Sequence, residues 1–408
     1  MNGTVSRGAV VLAVVAAALG FFVDAYDLLL FSIVRNTSLA DLGLVGDQLL
    51  DVGIDLLNAQ LVGMLVGGVL WGVLGDVYGR RSILFGSILM YSAATVANGV
   101  VVGLGAYAVC RFVAGVGLAG ELGAGVTLVA EVMSRQNRGY GTMVVAAVGV
   151  VGVVTASLVG DALPWRTAYL IGGGLGFALL ILRLGVRESS LFDQTRRRDV
   201  ARGHFLALWT DAGRRRRYLC LILVAMPIWY AIGILVTFAP ELGTALGLPV
   251  APKAGTAILV YYLSLTFGDL TNGYLSQRWQ TRKRTIAAFM LLSVVFGAGY
   301  FVFGGASTAS FYALCGLLGW SSGYWAVFIT TAAEQFGTNL RATVAVTAPN
   351  FVRGLTALLT LAFRGLKAHV GTVGSAALIG AVVVAVGLLA LTQLEETYGR
   401  DLDFTENI

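Results

Sequence analysis

Long apolar stretches constrain this chain more than any other feature, because they leave little material for a water-soluble core. The stretches 139–159 and 376–391 contain no acidic or basic side chain. A bilayer core about 30 Å thick is crossed by about 20 apolar residues in a helix. Charged residues make up 12% of the chain, against about 25% in soluble domains. The sequence therefore predicts an integral membrane protein.

We expect twelve membrane spans in an all-α fold, because a helix satisfies its own backbone hydrogen bonds in lipid. The predicted spans are 8–33, 54–75, 82–103, 105–131, 139–159, 166–185, 218–244, 254–276, 285–304, 309–333, 342–366 and 371–393. The first span is too long for a cleaved signal and lacks a small-residue cleavage site, so we expect it to be retained.

The second half of the chain repeats features of the first. Glu131 precedes Arg138 by seven residues after span four, and Glu334 precedes Arg341 by the same spacing after span ten. Such repeats are typical of transporters that hold a binding site between two related bundles. We expect two pseudo-symmetric six-helix bundles with a linker and a tail. The predicted boundaries are 1–185 for the N-terminal bundle, 186–217 for a basic cytoplasmic linker, 218–395 for the C-terminal bundle and 396–408 for a cytoplasmic tail.

Lysines and arginines in the loops predict the orientation. They are concentrated in the loops on the same side as the N-terminus, including 196–198 and 214–217 in the linker. The positive-inside rule then puts both termini in the cytoplasm. Contact of the linker with anionic lipid is a second interpretation of its arginines. Short loops and terminal tails favour a bacterial inner membrane, and we expect a functional monomer. The net charge of +6 does not indicate nucleic-acid binding, because the arginines lie in loops between apolar spans.

Five ionisable residues stand out inside predicted spans: Asp24, Asp27, Arg111, Glu121 and Arg353. Charges in hydrocarbon are costly, so each is a candidate functional residue. The alternative is a structural ion pair that fixes how the helices pack.

The acids of span one are close enough to interact. Asp24 and Asp27 are three residues apart, which places them on one helix face about 4.5 Å apart along the axis. Two such carboxylates are not expected to be ionised together, and a group that binds and releases a proton suits proton coupling. Depth along the helices makes an ion pair with Arg111 of span four plausible, and Glu121 lies deeper in the same span.

Arg353 is the candidate for anion binding. It lies near the middle of span eleven, after Pro349 and Asn350, where the proline is expected to kink the helix. A guanidinium binds a carboxylate or phosphate through two hydrogen bonds. The alternative is a salt bridge to an acid of the other bundle.

Other polar and aromatic residues are candidates for a cavity wall or a gate. Aromatic residues at mid-depth need partners for their polar atoms, so a cavity wall is plausible, although packing is an equal alternative for each. These residues are Trp229, Tyr230, Trp320 and Tyr324. Asp269 in span eight is interpreted as a cytoplasmic gate residue or as a helix cap.

Nothing in the sequence indicates an enzyme. The three cysteines fall inside spans without metal-ligand spacing, and neither histidine lies where a buried ligand is expected. Neither a phosphate-binding loop nor a catalytic constellation is evident. We expect no metal and no cofactor.

The loops and the fourth span resemble the major facilitator superfamily over nearly the whole chain. The stretch Gly75-Asp76-Val77-Tyr78-Gly79-Arg80-Arg81 is similar to the signature between spans two and three, and Arg111-x-x-x-Gly115-x-Gly117 to that of span four. The resemblance implies a cytoplasmic gate. Its residues would be Gly75, Asp76, Gly79, Arg80, Arg81, Glu131, Arg138, Glu334 and Arg341, beside Asp269.

The first and fourth spans resemble the phosphate, metabolite and aromatic-acid proton symporters. That resemblance implies that Asp24, Asp27 and Glu121 are protonation sites and that Arg111 is their electrostatic partner. The sequence departs from the phosphate symporters at Leu122-Gly123 and in span five, so an organic anion is the favoured substrate. The alternatives are a proton-driven exporter and a symporter of sugar, phosphate or organic cations.

Overall fold

The computed structural model describes residues 7–78, 80–121, 138–183, 205–400 and 404–406. Within these ranges the backbone is helical apart from short connections, and no strand is present. The helices of the first half are α1 (Arg7–Asp41), α2 (Gln48–Tyr78), α3 (Arg80–Asn98), α4 (Leu104–Leu118), α5 (Arg138–Ala162) and α6 (Trp165–Arg183).

The second half contains eight helices and a π-helical turn in its described part. These are α7 (Ala207–Thr210), α8 (Ala212–Tyr230), the π turn Ala231–Val236, α9 (Ala239–Ala245), α10 (Ala254–Arg278), α11 (Lys283–Phe303), α12 (Thr308–Ser321), α13 (Trp325–Glu334) and α14 (Thr338–Thr392).

Glycines allow neighbouring helices to approach backbone to backbone. A Cβ at Gly63 of α2 would overlap the carbonyl oxygen of Phe112 in α4, and one at Gly115 would overlap that of Gln60. No hydrophobic driving force acts between helices in lipid, so their contacts depend on close van der Waals packing, which small residues at such crossings allow.

Seven helices of the described chain are long and apolar enough to cross a membrane. One of them, Asn339–Thr392, covers the predicted spans eleven and twelve, and Gly371 divides it with a φ of 74°. Predicted span seven ends in the π turn and α9, and predicted span ten is divided into α12 and α13. Helix α8 begins at Ala212, inside the predicted linker, because the Asp211 side chain accepts a hydrogen bond from the Arg214 backbone N–H.

The two halves pack through α2 against α14, α5 against α10 and α1 against α10. We call the end of the bundles with the α1–α2 connection the Asp47 end. The opposite end, where α13 finishes, is the Glu334 end. The five charged candidates Asp24, Asp27, Arg111, Glu121 and Arg353 lie along the interface between the halves or inside the first bundle.

Candidate functional site

A small cavity lies between the two halves. Aliphatic side chains of α1, α2 and the π turn form much of its wall. Its polar and aromatic lining residues are Ser32, Gln60, Trp229, Thr237 and Thr356. The π turn begins two residues after Trp229, and such turns are frequent where a helix borders a functional site.

An ion pair between the halves lies beside this cavity. Arg353 Nη1 of α14 is 3.6 Å from Asp24 Oδ2 of α1, and the two residues are 4% and 0% exposed. The Arg353 guanidinium lies 5.5 Å from the ring centroid of Trp229. Of the two interpretations of Arg353, the structure shows the salt bridge to the other bundle, and it places that salt bridge next to a cavity-lining residue.

Asp27 is buried one helical turn from Asp24 and has a different partner. Its Oδ2 accepts a hydrogen bond of 2.5 Å from Thr95 Oγ1 of α3, and its Oδ1 has no hydrogen-bond partner among the described residues. The ion pair expected between Arg111 and the acids of span one is not formed. Asp27 therefore bonds to a neutral hydroxyl.

Arg111 is occupied by neutral groups instead. It donates to Gln60 Oε1 of α2 and to the Tyr169 hydroxyl at 3.4 Å, and its guanidinium lies 4.5 Å from the ring centroid of Phe31. Gln60 can approach because Gly115 removes a side chain between α2 and α4. The sequence did not single out Gln60, because an amide in a span carries no charge.

Glu121 pairs with an arginine that the sequence analysis overlooked. Arg183 at the end of α6 donates to both carboxylate oxygens of Glu121, with 2.9 Å between Nη1 and Oε2. Arg183 also donates to the Ala16 carbonyl oxygen at 3.0 Å. Arg111 is thus not the ionic partner of Glu121. The signal was available, since Arg183 lies inside predicted span six, where a buried arginine requires an acid.

Asn350 of α14 joins the two halves through a residue close to Glu121 in the chain. Its Nδ2 donates to the Ala119 carbonyl oxygen of the first half at 3.0 Å, and its Oδ1 has no partner among the described residues. A Cβ at Gly68 would lie 2.9 Å from the Asn350 Cβ. The glycine therefore permits this close contact between the bundles.

Three aromatic residues expected in the cavity wall pack elsewhere. The Tyr230 hydroxyl donates to the Ala376 carbonyl oxygen at 2.6 Å, and the Tyr324 hydroxyl donates to that of Val224 at 3.1 Å. Trp320 packs on Phe289 of α11. Trp229 lines the cavity and Tyr230 does not, because successive residues of a helix point about 100° apart.

Seven residues expected at the gate have side chains outside the described residues: Gly75, Asp76, Gly79, Arg80, Arg81, Glu131 and Arg138. Among the others, Glu334 accepts from Arg282 Nη2 at 3.2 Å and from Thr397 Oγ1 at 2.7 Å. Arg341 Nε donates to the Ala333 carbonyl oxygen at 2.9 Å. These contacts lie within the second half.

Asp269 has the role of a helix cap, which was the alternative to a gate. Its Oδ1 accepts a hydrogen bond of 3.0 Å from the backbone N–H of Ala326 in the first turn of α13. Gly268 and Gly323 are in backbone contact at the break between α12 and α13. The free N–H groups that this break creates require such an acceptor.

Ion pairs join the halves at the Asp47 end. Arg35 and Glu241 form a partly buried pair at 2.5 Å, and the Arg35 guanidinium lies 4.5 Å from the ring centroid of Phe238. At the surface, Lys367 Nζ lies 2.8 Å from Asp47 Oδ1. The hydrogen bond and positive charge of Lys367 hold the pKa of Asp47 below its ordinary value. Arg35 was overlooked because it was placed in a loop, whereas α1 continues past it.

A helical membrane protein whose halves enclose a cavity beside buried opposite charges fits the class of solute transporters. Residues 10–361 match the sequence profile of the Major Facilitator Superfamily. The chain belongs to this family, whose members are transporters and not enzymes. The predicted fold class is thereby confirmed.

Similar proteins agree with this assignment. The niacin transporter NiaP of Acinetobacter baylyi is 28% identical over 94% of both chains. A protein named for metabolite transport in Haemophilus influenzae is 33% identical, with an alignment that covers 45% of each chain. The crystal structure of a D-xylose-proton symporter superposes with a TM-score of 0.71 at 16% identity, over 95% of this chain and 99% of that one.

Proposed function

We propose that this transporter is a symporter that carries a small organic anion, such as a carboxylate, together with a proton by alternating access. The observation that supports this most is the buried Asp24–Arg353 pair, which links the two halves beside the cavity. A substrate carboxylate that bound Arg353 would take the place of the Asp24 carboxylate. Substrate binding would then alter the contact that holds the halves together.

The groups at and beside the cavity suit a small cyclic acid. Trp229 offers an aromatic face, and Arg353 lies over that ring. Asn350 offers an amide oxygen without a partner in the described chain. A relative is named as a transporter of niacin, which is a carboxylate on a pyridine ring. We therefore propose Arg353, Asn350 and Trp229 as substrate-binding residues.

A balance of buried charge supports coupling to a proton. Around the cavity and inside the first bundle, the buried carboxylates of Asp24, Asp27 and Glu121 are matched by the guanidinium groups of Arg111, Arg183 and Arg353. The other two buried arginines, Arg35 and Arg214, pair with Glu241 and Asp211. An anion that enters this set adds an uncompensated negative charge, which is costly in a low dielectric. Protonation of one carboxylate removes that charge. Anion and proton therefore bind favourably together.

Asp27 is our first candidate for the proton site. It is buried and bonds to a hydroxyl rather than to a cation, so it exchanges a proton without breaking an ion pair. Asp24 becomes available when substrate occupies Arg353. Glu121 exchanges a proton only if its bonds to Arg183 open. Arg111 would act on Asp27 through its charge.

We further propose that the Asp47 end faces outward and that both termini lie in the cytoplasm of a bacterium with the protein in its inner membrane, as the loop arginines indicate. The ion pairs at the Asp47 end would then be the outer gate in its closed state. The gate residues at the Glu334 end would close the cytoplasmic side. We propose that one chain, with bundles 1–185 and 218–395, is the transporting unit.

The test is uptake of radiolabelled nicotinate and benzoate into proteoliposomes with and without an inward proton gradient. We expect Asp27→Asn to lose gradient-driven uptake and to keep exchange of internal for external substrate. Glu395→Gln, at a 70% exposed side chain that belongs to neither proposed gate, is the control and should keep both. Gradient-driven uptake that survives in Asp27→Asn would contradict the proposed proton site, and the same result in Glu121→Gln would remove Glu121 from it.

A further inference from the structure

Arg111 determines the orientation of the Gln60 side-chain amide. Gln60 Oε1 accepts a hydrogen bond from Arg111 Nη2. A guanidinium has only donors, so the oxygen of the amide must face it and the NH₂ group must point away. This orientation therefore follows from chemistry and not from a choice between similar atoms.

The NH₂ group of Gln60 is left without an acceptor. Gln60 is 1% exposed, and its Nε2 has no hydrogen-bond partner among the described residues. Gln60 is also one of the residues that line the cavity between the halves. A buried donor at a cavity wall, with its own oxygen engaged, requires an acceptor from whatever occupies the cavity.

Two other polar side chains of the cavity wall are already used as donors. Thr356 Oγ1 donates to the Val352 carbonyl oxygen of its own helix at 3.1 Å. Thr237 Oγ1 donates to Ser32 Oγ at 3.3 Å. The amide of Gln60 differs from them because both of its hydrogens remain available.

We propose that Gln60 determines specificity by selecting anions with a second hydrogen-bond acceptor, such as a ring nitrogen or carbonyl oxygen, away from the carboxylate. This inference rests on the proposed function, in which Arg353 binds the carboxylate. Arg353 belongs to α14 and Gln60 to α2, so the ligand bridges the two halves. A site built to donate a hydrogen bond rejects an analogue that lacks the acceptor, because the donor is then buried unpaired.

The test is calorimetric binding to the full chain in lipid nanodiscs. The ligands are benzoate and the three pyridine monocarboxylates, which have the same shape and differ in one ring nitrogen. We expect at least one pyridine isomer to bind about tenfold or more tightly than benzoate. Gln60→Met removes the donor but also the acceptor of Arg111. Gln60→Glu keeps an oxygen for Arg111, removes the donor and adds a negative charge. Thr356→Val is the control, since its hydroxyl is engaged by its own helix.

The informative quantity is the ratio of the benzoate and pyridine dissociation constants, which a merely structural role of Gln60 would leave unchanged. We expect this ratio to fall to about one in both Gln60 variants and to persist in Thr356→Val. Gln60→Glu should also weaken every anion, because it adds a negative charge. A ratio near one in the wild type, or a ratio that survives in both Gln60 variants, overturns the inference. If carboxylate uptake is still driven by protons in that case, the proposed function stands. If no carboxylate binds, both fall.

Discussion

Replacing Asp24 by a neutral residue should lower the free energy of unfolding more than replacing Arg353 by a neutral residue. At 3.6 Å, two unit charges attract by about 5 kcal/mol at an effective dielectric constant of about 20. The cost of removing both groups from water offsets much of that attraction. The net value of the pair is therefore small, whereas leaving one charge alone is expensive.

The two single variants leave different groups behind. Asp24→Asn leaves the Arg353 guanidinium, which does not lose its proton, and we expect a loss of about 3–5 kcal/mol in the free energy of unfolding. Arg353→Gln leaves a carboxyl group that can take up a proton, so its loss should be smaller, about 1–3 kcal/mol, and smaller still at low pH. The double variant should recover much of the loss.

Equilibrium unfolding of the four proteins in mixed detergent micelles, at two pH values, measures this cycle. We expect a coupling energy above about 1 kcal/mol. Wild type and double variant should respond to pH alike. Additive losses, or an Arg353→Gln variant that is less stable than Asp24→Asn, would refute this reasoning about the pair.

Two further predictions use contacts outside that pair. A Cβ at Gly20 would overlap Glu121 and Arg183; Gly20→Ala should therefore lower the free energy of unfolding by about 2 kcal/mol, whereas Gly174→Ala, which meets nothing within 4 Å, should not. At the Asp47 end, Glu241→Gln breaks a partly buried ion pair between the halves. This variant should therefore speed the labelling of a cysteine engineered into the cavity. Asp47→Asn should not speed it, because exposed ion pairs contribute little. Equal labelling rates in Glu241→Gln and Asp47→Asn would contradict this comparison. Since Lys367 lowers the pKa of Asp47, the contribution of the Asp47–Lys367 pair is present at neutral pH and is lost only below about pH 4.

The spans were predictable from sequence because each follows from one local quantity, the length of an apolar run. The breaks inside spans were not. The π turn Ala231–Val236 and the division at Ser322–Tyr324 interrupt apolar runs, and the helix after the second break is capped by a tertiary partner, Asp269. Apolar sequence alone does not distinguish a continuous helix from one that is interrupted and recapped.

The charges of the candidate site were found from the sequence, whereas their partners were foreseen only in part. The salt bridge of Arg353 was one of two interpretations, but Arg111 and Glu121 have other partners than expected. Asp24, Asp27 and Arg353 were found because charge in a span is conspicuous. Their partners depend on which helix faces are in contact, and one sequence does not give this. Arg183 could have been found by counting, since Glu121 needed a cation within its own bundle. Gln60 could not, because its importance comes from the orientation that another residue imposes.

The balance of buried charge predicts how transport depends on the membrane potential. If the charges of Asp24, Asp27 and Glu121 cancel those of Arg111, Arg183 and Arg353, the set has no net charge. A monovalent anion that enters with one proton leaves that net charge at zero. The loaded transporter then moves no net charge across the membrane. Uptake of nicotinate should therefore depend on the proton gradient and be independent of the membrane potential. Proteoliposomes with the potential set by potassium and valinomycin measure this directly. Uptake driven by an inside-negative potential at equal pH would mean that more than one proton accompanies each anion. In that case a second acid of this set must also titrate in the transport cycle.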